Sequence, residues 1–336
     1  MYWEQYERLG IMFILRIPDD ICHTSNAMEE RDGEVILTDV QWQRLWQKSA
    51  IGQRLVGGGL RLLSEEVLFA HEHRHQALPS PDWISKAITE DPDLLDRYII
   101  LESLRAPGNI IVLLNHKNIE KWQYNDSSWA LRWHGSTHPD NDEPISEIRW
   151  HRALDTIDIN ELFTWSISVS ERGRIPEIIV IDDEGSVVTY VISSCDPSGK
   201  INDDSIDIIG VQTPWAKRYS DVELLLISDD ENNELAVVLN DLHNRGLHVR
   251  SGFKFGTRWR AYEDVIGTDH AQWLIDTNID APSDWTGACL NARLAAGVNK
   301  KYIVSIINNS NETIQVNYLE FIRPDAGHRW VNLEKY

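Results

Sequence analysis

The feature that most constrains the fold is a glycine-punctuated, β-prone stretch from residue 246 to residue 262. Glycines at positions 246, 252 and 256 separate short apolar runs, which predicts strands that end in tight turns or pass close to another backbone. The stretch also interleaves cations with aromatic side chains: Arg250, Phe253, Lys254, Phe255, Arg258, Trp259, Arg260 and Tyr262. Cations neutralise phosphates and aromatic faces stack on unpaired bases, so this pattern is typical of a nucleic-acid surface. The alternative is an amphipathic strand pair with a solvated charged face.

The composition indicates a globular and strongly acidic chain. Its 336 residues are 42% hydrophobic and include 14 tryptophans, which argues against disorder. A chain of this length is expected to form about two to four compact units. The formal net charge is -21, with 53 acidic against 32 basic residues. Such a charge would repel RNA unless the basic residues were gathered in one place.

The cysteines and the N-terminal sequence exclude several protein classes. Cys22, Cys195 and Cys289 are far apart and form no Cys-x-x-Cys pair, so neither a disulfide framework nor a cysteine zinc site is predicted. We expect no metal and no other cofactor. The apolar run at 11–15 is too short for a signal peptide or a membrane span. The sequence therefore predicts a soluble, cytoplasmic protein without a membrane partner.

An internal repeat divides the chain into two halves. The segment 101–112 resembles 239–250, with a leucine and a glycine at matching positions, and a strand, turn and strand recur at 178–192 and 303–322. The repeat predicts a mixed α/β fold of two tandem copies. Each copy has a helical N-terminal unit followed by a mixed-sheet, nuclease-like unit.

The first copy lacks the charges of the second. Alignment of the two strand pairs places Ile175 opposite Lys300 and Ser168 opposite Arg293. We interpret this difference as one structural, degenerate copy and one working copy. The predicted domains are a strand and helical N-terminal domain (1–106), a degenerate catalytic-like domain (107–197), a reduced N-terminal domain of the second copy (198–245) and a catalytic domain (246–336).

Three stretches of the second half resemble the catalytic domain of archaeal tRNA-splicing endonucleases, namely 246–262, 269–276 and 292–301. Two stretches of the first half, 52–67 and 97–105, resemble the helical domain of that family. The tandem layout is similar to the members in which two fused copies pair as a homodimer. The resemblance implies removal of introns from precursor tRNA at bulge-helix-bulge sites without a metal, leaving 2',3'-cyclic phosphate and 5'-hydroxyl ends.

The resemblance places the three catalytic residues of the family on Tyr262, His270 and Lys300. In such a reaction the 2'-hydroxyl of RNA is the nucleophile, so the enzyme must supply a base, an acid and a cation for the charged phosphorane. His270 suits the acid because the ordinary pKa of histidine is about 6.5. Tyr262 would be the base and Lys300 the stabilising cation. Lys301 competes with Lys300, and alternation predicts that the two lysines lie on opposite faces of a strand.

The resemblance also implies roles in RNA binding and assembly. In the family an arginine seven positions before the catalytic lysine stacks on a bulged base, which selects Lys300 because Arg293 stands in that position. The predicted RNA-binding residues are Arg293, a second stacking arginine at Arg323, Lys254 and Arg258. The predicted dimer contact is the acidic turn of Asp182, Asp183 and Glu184, whose alternative is an ordinary hairpin turn. The corresponding turn of the second copy, at 308–312, carries less charge.

Two other functions remain open at this point. The first is a non-catalytic structural or RNA-binding subunit of a splicing endonuclease assembly, against which the retention of Tyr262, His270 and Lys300 argues. The second is a metal-dependent nuclease on a similar mixed sheet. The sequence shows no convincing paired carboxylate and lysine motif for such an enzyme.

Overall fold

A computed structural model of the chain describes residues 28–38, 42–116, 121–201, 208, 210–227, 233–310 and 313–325. The run at 11–15, Cys22 and part of the turn at 308–312 lie outside these residues. The chain forms two compact units. The first comprises Met1–Trp122, Trp129–Glu143 and Ile181–Val187, and the second comprises Gln123–Ser128, Pro144–Val180 and Val188–Tyr336.

The first unit combines short strands with helices. The described elements are β1 (Glu29–Arg31), β2 (Glu34–Leu37), α1 (Trp42–Ser49), β3 (Gln53–Arg54), β4 (Leu60–Leu62), α2 (Ser64–Arg74), α3 (Trp83–Glu90), α4 (Leu94–Arg105), β5 (Ile110–Leu113) and β6 (Ala130–Trp133). The first four strands form an antiparallel sheet in the order β1-β2-β4-β3. The side chain of Glu66 is buried in this unit and accepts hydrogen bonds from the backbone of Gly52 and Leu63. This carboxylate therefore joins the start of α2 to the turn before β3.

The second unit is built on one large mixed sheet. Its described elements are β7 (Ser146–Arg152), α5 (Ile159–Glu171), β8 (Ile175–Ile181), β9 (Val187–Cys195), β10 (Val211–Gln212), β11 (Lys217–Arg218), α6 (Asp221–Ile227), α7 (Glu234–Asn244), β12 (His248–Ser251), β13 (Trp259–Tyr262), β14 (Trp273–Thr277), α8 (Trp285–Gly297), β15 (Lys301–Ser310) and β16 (Thr313–Ile322). The order in the sheet is β12-β13-β14-β15-β16-β9-β8-β7. Strands β14 and β15 are parallel, whereas the pairs β12–β13, β13–β14, β15–β16 and β16–β9 are antiparallel. The predicted mixed α/β class is confirmed, and the tandem arrangement of two copies stays a prediction.

Both faces of the sheet in the second unit are covered by apolar side chains. Successive residues of a strand point to opposite faces, so neighbours along one strand contribute to different cores. In β14, Leu274 packs with Trp285 of α8 on one face, while Trp273 and Ile275 pack with Leu239 of α7 on the other. The sheet is thus held between helices. None of the described helices has both the length and the apolar character needed to cross a bilayer.

Two glycines shape the connection between β12 and β13. A β-carbon at Gly252 would lie 2.5 Å from the carbonyl oxygen of Thr257, closer than real β-carbons approach. Gly256 has a φ of +75°, in the left-handed region that glycine adopts at little cost. Between them, a turn of 3₁₀ helix (Phe253–Phe255) leaves Phe253 88% exposed and packs Phe255 against the core under α8.

Helix α8 returns the chain from the end of β14 to the start of β15. Asp284 caps its first turn, where the side chain accepts a hydrogen bond from the Gly287 amide at 2.9 Å, and the helix ends at Gly297. A parallel pair of strands requires such a crossover. The N-terminal ends of β14 and β15 therefore lie side by side.

A buried carboxylate, Asp276, ties the elements around β14 together. Its side chain is 2% exposed and accepts hydrogen bonds from the Arg258 amide at 2.7 Å and from the Tyr302 hydroxyl at 2.9 Å. It also lies 3.4 Å from the amide nitrogen of Asn291 on α8. Burial raises the pKa of this carboxyl from 3.8 to about 6, although the bonds from Arg258 and Tyr302 oppose the rise.

We expect the Asp276→Asn variant to lose a pH-dependent part of the free energy of unfolding. In the wild type the unfolded chain releases the Asp276 proton near pH 4, whereas the folded chain keeps it to about pH 6. The wild-type stability should therefore fall relative to the variant as pH rises through this window, by about 3 kcal/mol in total. Urea unfolding of both proteins from pH 4 to pH 7 measures the difference.

The exposed Asp126→Asn variant is the matched control, since it removes a carboxyl without a burial penalty. A difference between wild type and Asp276→Asn that stays constant with pH would contradict the expectation.

Candidate active site

The strand register brings the ends of three strands together. Ala261 of β13 pairs with Trp273 of β14, and Trp273 pairs in turn with Lys301 of β15. Because β13 runs antiparallel to β14, its C-terminal end meets the N-terminal ends of β14 and β15. Tyr262 and Lys300 each lie one residue from these pairs, and His270 precedes Trp273 by three residues. The sequence-predicted catalytic residues are thus collected at one end of the sheet.

Lys300 lies at this end of the sheet, one residue before β15 begins. Its backbone amide donates to the Ala295 carbonyl at 2.9 Å, and its ammonium group donates to the carbonyl of Ala271, the residue next to His270. The ammonium lies 5.5 Å from the ring centre of Phe255. Burial, followed by the positive charge of Arg260, lowers the pKa of Lys300. The lysine is therefore half-buried beside the segment that carries His270.

Lys301 has different surroundings, as the alternation of a strand predicts. Its ammonium forms an ion pair with Glu320 at 3.5 Å and lies 5.0 Å from the ring centre of Trp273. Trp273 belongs to the core on the α7 side of the sheet. This lysine is thus neutralised by a carboxylate, whereas Lys300 contacts a neutral carbonyl.

Tyr262 is half-buried at the C-terminal end of β13. It pairs with His248 of the neighbouring strand β12, and the guanidinium carbon of Arg260 lies 5.8 Å from its ring centre. Burial, with the positive charges of Arg250 and His243, lowers the pKa of His248 to about 4. His248 is therefore neutral around pH 7, and Arg260 is the cation that contacts the Tyr262 ring.

His270 is exposed on the loop between β13 and β14. Its backbone amide donates to the carboxylate of Asp269 at 2.7 Å, and its ring makes no hydrogen bond with the described residues. Gln272 closes this loop, because its side chain accepts from the Glu263 amide at 3.1 Å and donates to Asp269 at 3.2 Å. The loop thus holds the backbone of His270 and leaves its imidazole available to a substrate.

Arg293 and Arg323 lie close to the same thiol. Burial raises the pKa of Cys289 to about 11, while a hydrogen bond with Tyr190 and the positive charges of Arg293 and Arg323 oppose the rise. Both guanidinium groups therefore act electrostatically on Cys289, although they come from α8 and from the end of β16. Neither has a hydrogen-bond partner among the described residues. Two free guanidinium groups in one neighbourhood can contact a base or a phosphate.

The other two predicted RNA-binding cations differ from each other. Lys254 is exposed in the turn after β12, and the described residues offer it no partner. Arg258 is bound within the unit, because its Nε and Nη2 atoms donate to the carboxylate of Asp280 at 2.7 and 2.6 Å. Its role in RNA binding stays a prediction.

The acidic turn between β8 and β9 is a hairpin turn that one carboxylate stabilises by hydrogen bonds to the backbone. The side chain of Asp182 accepts hydrogen bonds from the amides of Glu184 at 3.0 Å and Ser186 at 2.7 Å. Asp183 and Glu184 are exposed. Within this turn, Asp183 and Glu184 are therefore the charges that remain for a partner.

Sequence reasoning missed Asp276, Gln272 and the contact of Arg260 with Tyr262. The first had a usable signal, because a carboxylate inside the apolar run of β14 is rarely buried without partners. The other two depend on which strands pair, and a single sequence does not state this. In the described part of the chain, no three His, Cys, Asp or Glu side chains gather as metal ligands.

Residues 233–318 match the family model described as the tRNA intron endonuclease catalytic C-terminal domain. The match contains Tyr262, His270, Lys300 and Arg293, and it ends before Arg323.

Three relatives are tRNA-splicing endonucleases of archaea. The protein of Thermococcus gammatolerans is 34% identical over 123 residues, which cover 34% of this chain and 69% of the relative. Those of Picrophilus torridus and Thermoplasma volcanium are 28% and 29% identical over 163 and 176 residues, or 43% and 46% of this chain. The chain spans 56% of the length of each of the last two. With this similarity and the matched catalytic domain, the chain belongs to the tRNA-splicing endonuclease family.

Proposed function

We propose that this protein is an RNA endonuclease that cuts precursor tRNA at the intron boundaries. One observation carries the proposal: the register of β13, β14 and β15 collects Tyr262, Lys300 and the loop of His270 at one end of the sheet. All three lie within the segment that matches the family's catalytic domain. The relatives' names supply the substrate class, a tRNA that carries an intron.

The chemistry proposed for each residue is the one that the family resemblance implies. Tyr262 removes the proton of the 2'-hydroxyl, whose oxygen then attacks the adjacent phosphate. Lys300 stabilises the charged phosphorane, because its ammonium is half-buried and makes no ion pair among the described residues. His270 donates a proton to the departing 5'-oxygen. The products are a 2',3'-cyclic phosphate and a 5'-hydroxyl, and the nucleophile comes from the RNA itself without a metal-bound water.

Arg293 and Arg323 are the proposed contacts to a bulged base. Their guanidinium groups lie near Cys289 and have no partner in the described residues. Stacking between a guanidinium plane and a base does not depend on which base is present. This pair would hold the bulge of a bulge-helix-bulge RNA, and Lys254 would contact its backbone.

The strand order also supports the tandem organisation. From the centre of the order, β16-β15-β14 run outward on one side and β9-β8-β7 on the other. Helix α8 precedes β15 as α5 precedes β8. The alignment that places Ile175 opposite Lys300 shifts the numbering by 125 positions (300 − 175). The same shift places the bounds of α5 within one residue of the bounds of α8. We infer that one copy carries one active site, so two chains act together on the two scissile bonds of an intron.

The first prediction concerns the reaction. The purified chain should cleave a bulge-helix-bulge RNA in EDTA and leave 5'-hydroxyl ends, which a polynucleotide kinase labels directly. His270→Ala should lower the cleavage rate by roughly 10² or more with little change in RNA affinity, because general acids contribute about 10² to 10⁴ in rate. An inactive wild type, or wild-type rates in the variant, would overturn the assignment.

A second prediction compares the two neighbouring lysines. Lys300→Gln should lower kcat by roughly 10² to 10³, as expected for loss of one group that stabilises transition-state charge. Lys301→Gln should keep near wild-type activity, because an exposed ion pair of this kind contributes about 1 kcal/mol or less to stability. Single-turnover kinetics of both variants give the comparison. Equal losses, or a larger loss for Lys301→Gln, would reverse the assignment.

The third prediction concerns assembly. The double variant Asp183→Asn, Glu184→Gln should form a weaker dimer, because charged interface contacts left unpaired cost several kcal/mol. Asp182 is kept, since its hydrogen bonds form the turn. Light scattering measures the mass, with the exposed pair Asp126→Asn, Glu171→Gln as the charge-matched control. An intact, fully active dimer would mean that the acidic turn is only a hairpin.

A further inference from the structure

Two arginines lie directly opposite each other next to Tyr262. Arg250 of β12 pairs with Arg260 of β13, and the next pair on the same face is His248 with Tyr262. Side chains paired in this way have their β-carbons about 5 Å apart, and like charges placed there destabilise the sheet. Both arginines are half-buried, which lessens the screening of their repulsion by water. An anion bound between the two arginines would relieve this repulsion.

The described residues neutralise this pair only weakly. The Nε atom of Arg260 is buried and has no hydrogen-bond partner among them. Arg250 donates to the neutral carbonyl of Val249 at 3.0 Å. Glu223 is the carboxylate that acts on Arg250, but its oxygens already accept the amides of Gly210 and Ser220. The two guanidinium groups thus keep donors for a ligand.

The pair is continuous with the proposed active site. The guanidinium carbon of Arg260 lies 5.8 Å from the ring centre of Tyr262. The pKa of Lys300 is lowered first by burial and second by the positive charge of Arg260. Asp269 is the carboxylate that opposes this effect on Lys300. Arg250 and Arg260 therefore add two positive charges on the Tyr262 side of the site, beyond the single lysine of the proposed mechanism.

We propose that Arg250 and Arg260 form a phosphate-binding pair that holds an RNA phosphate flanking the scissile one. The planar guanidinium fork binds two phosphate oxygens at once, and two such groups on one strand face match a single phosphodiester. Bound phosphate replaces the repulsion between the arginines with attraction to both. The pair rests on the proposed function for its substrate and adds a contact that positions the RNA before Tyr262.

Salt dependence of RNA binding tests the pair without requiring cleavage. The probe is a bulge-helix-bulge RNA with 2'-deoxy nucleotides at the scissile positions, which binds but lacks the nucleophile. Each phosphate contact contributes about 0.7 to 0.9 to the slope of log affinity against log salt concentration. Because the two arginines share one phosphate, the double variant Arg250→Gln, Arg260→Gln should lower the slope by about that amount, and each single variant by part of it. Arg260→Lys should keep the slope, since it keeps the charge, yet bind more weakly because the fork is lost.

Thermal stability separates binding from a structural role. Because the arginines repel each other, Arg250→Gln and Arg260→Gln should melt at or above the wild-type temperature without RNA. Arg31→Gln is the matched control, since Arg31 is exposed, pairs with Glu29 and lies in the first unit. It should change neither the slope nor the melting temperature appreciably.

The outcomes are distinct. An unchanged slope in the double variant, or weaker binding together with a lower melting temperature, would overturn the phosphate-binding pair. A wild type that binds the probe but does not cleave the all-ribose RNA would overturn the proposed function, and the slopes would then decide the pair alone. Cleavage by the wild type with unchanged slopes would remove the pair and leave the proposed function in place. Absence of RNA binding by the wild type would remove both.

Discussion

The parallel pairing of β14 with β15 is the constraint on which the candidate site depends. It sets Trp273 beside Lys301, and the antiparallel pairing of β13 then brings Tyr262 to the same end of the sheet. A slip of one residue in this register would move every side chain of β15 to the other face. Lys301 would then lose Glu320, and Lys300 would leave the carbonyl of Ala271. Register, more than any single contact, decides which lysine is available for chemistry.

Local sequence patterns predicted much of the fold and the members of the site. The strands around residues 246–262 follow from residue preferences that act over a few positions. The candidate residues came from family resemblance, which names positions without describing their surroundings. Residue preferences and family resemblance both refer to positions along the chain. They therefore predict the features that neighbouring residues determine.

The other features of the site depend on which distant segments of the chain pair with each other. Arg258 and Arg260 are indistinguishable in sequence, two cations that flank Trp259. The structure separates them, since Asp280, more than 20 positions away, binds Arg258, whereas Arg260 meets Arg250 and Tyr262. Whether a cation is neutralised or free depends on the residue that the fold places opposite it. Charge counts along the chain therefore do not show which cations are free to bind a ligand.

Within the described part of the chain, β12 is the edge strand of the sheet in the second unit, and its composition bears on how the protein behaves in a crowded cell. An open edge exposes unpaired backbone groups that another chain can extend into an aggregate. β12 is short, from His248 to Ser251, and it carries Arg250 where a second strand would have to approach. The same side chain that we assign to RNA thus also discourages edge-to-edge association. Resistance to aggregation and the proposed contact with the substrate would then both favour an arginine at this position.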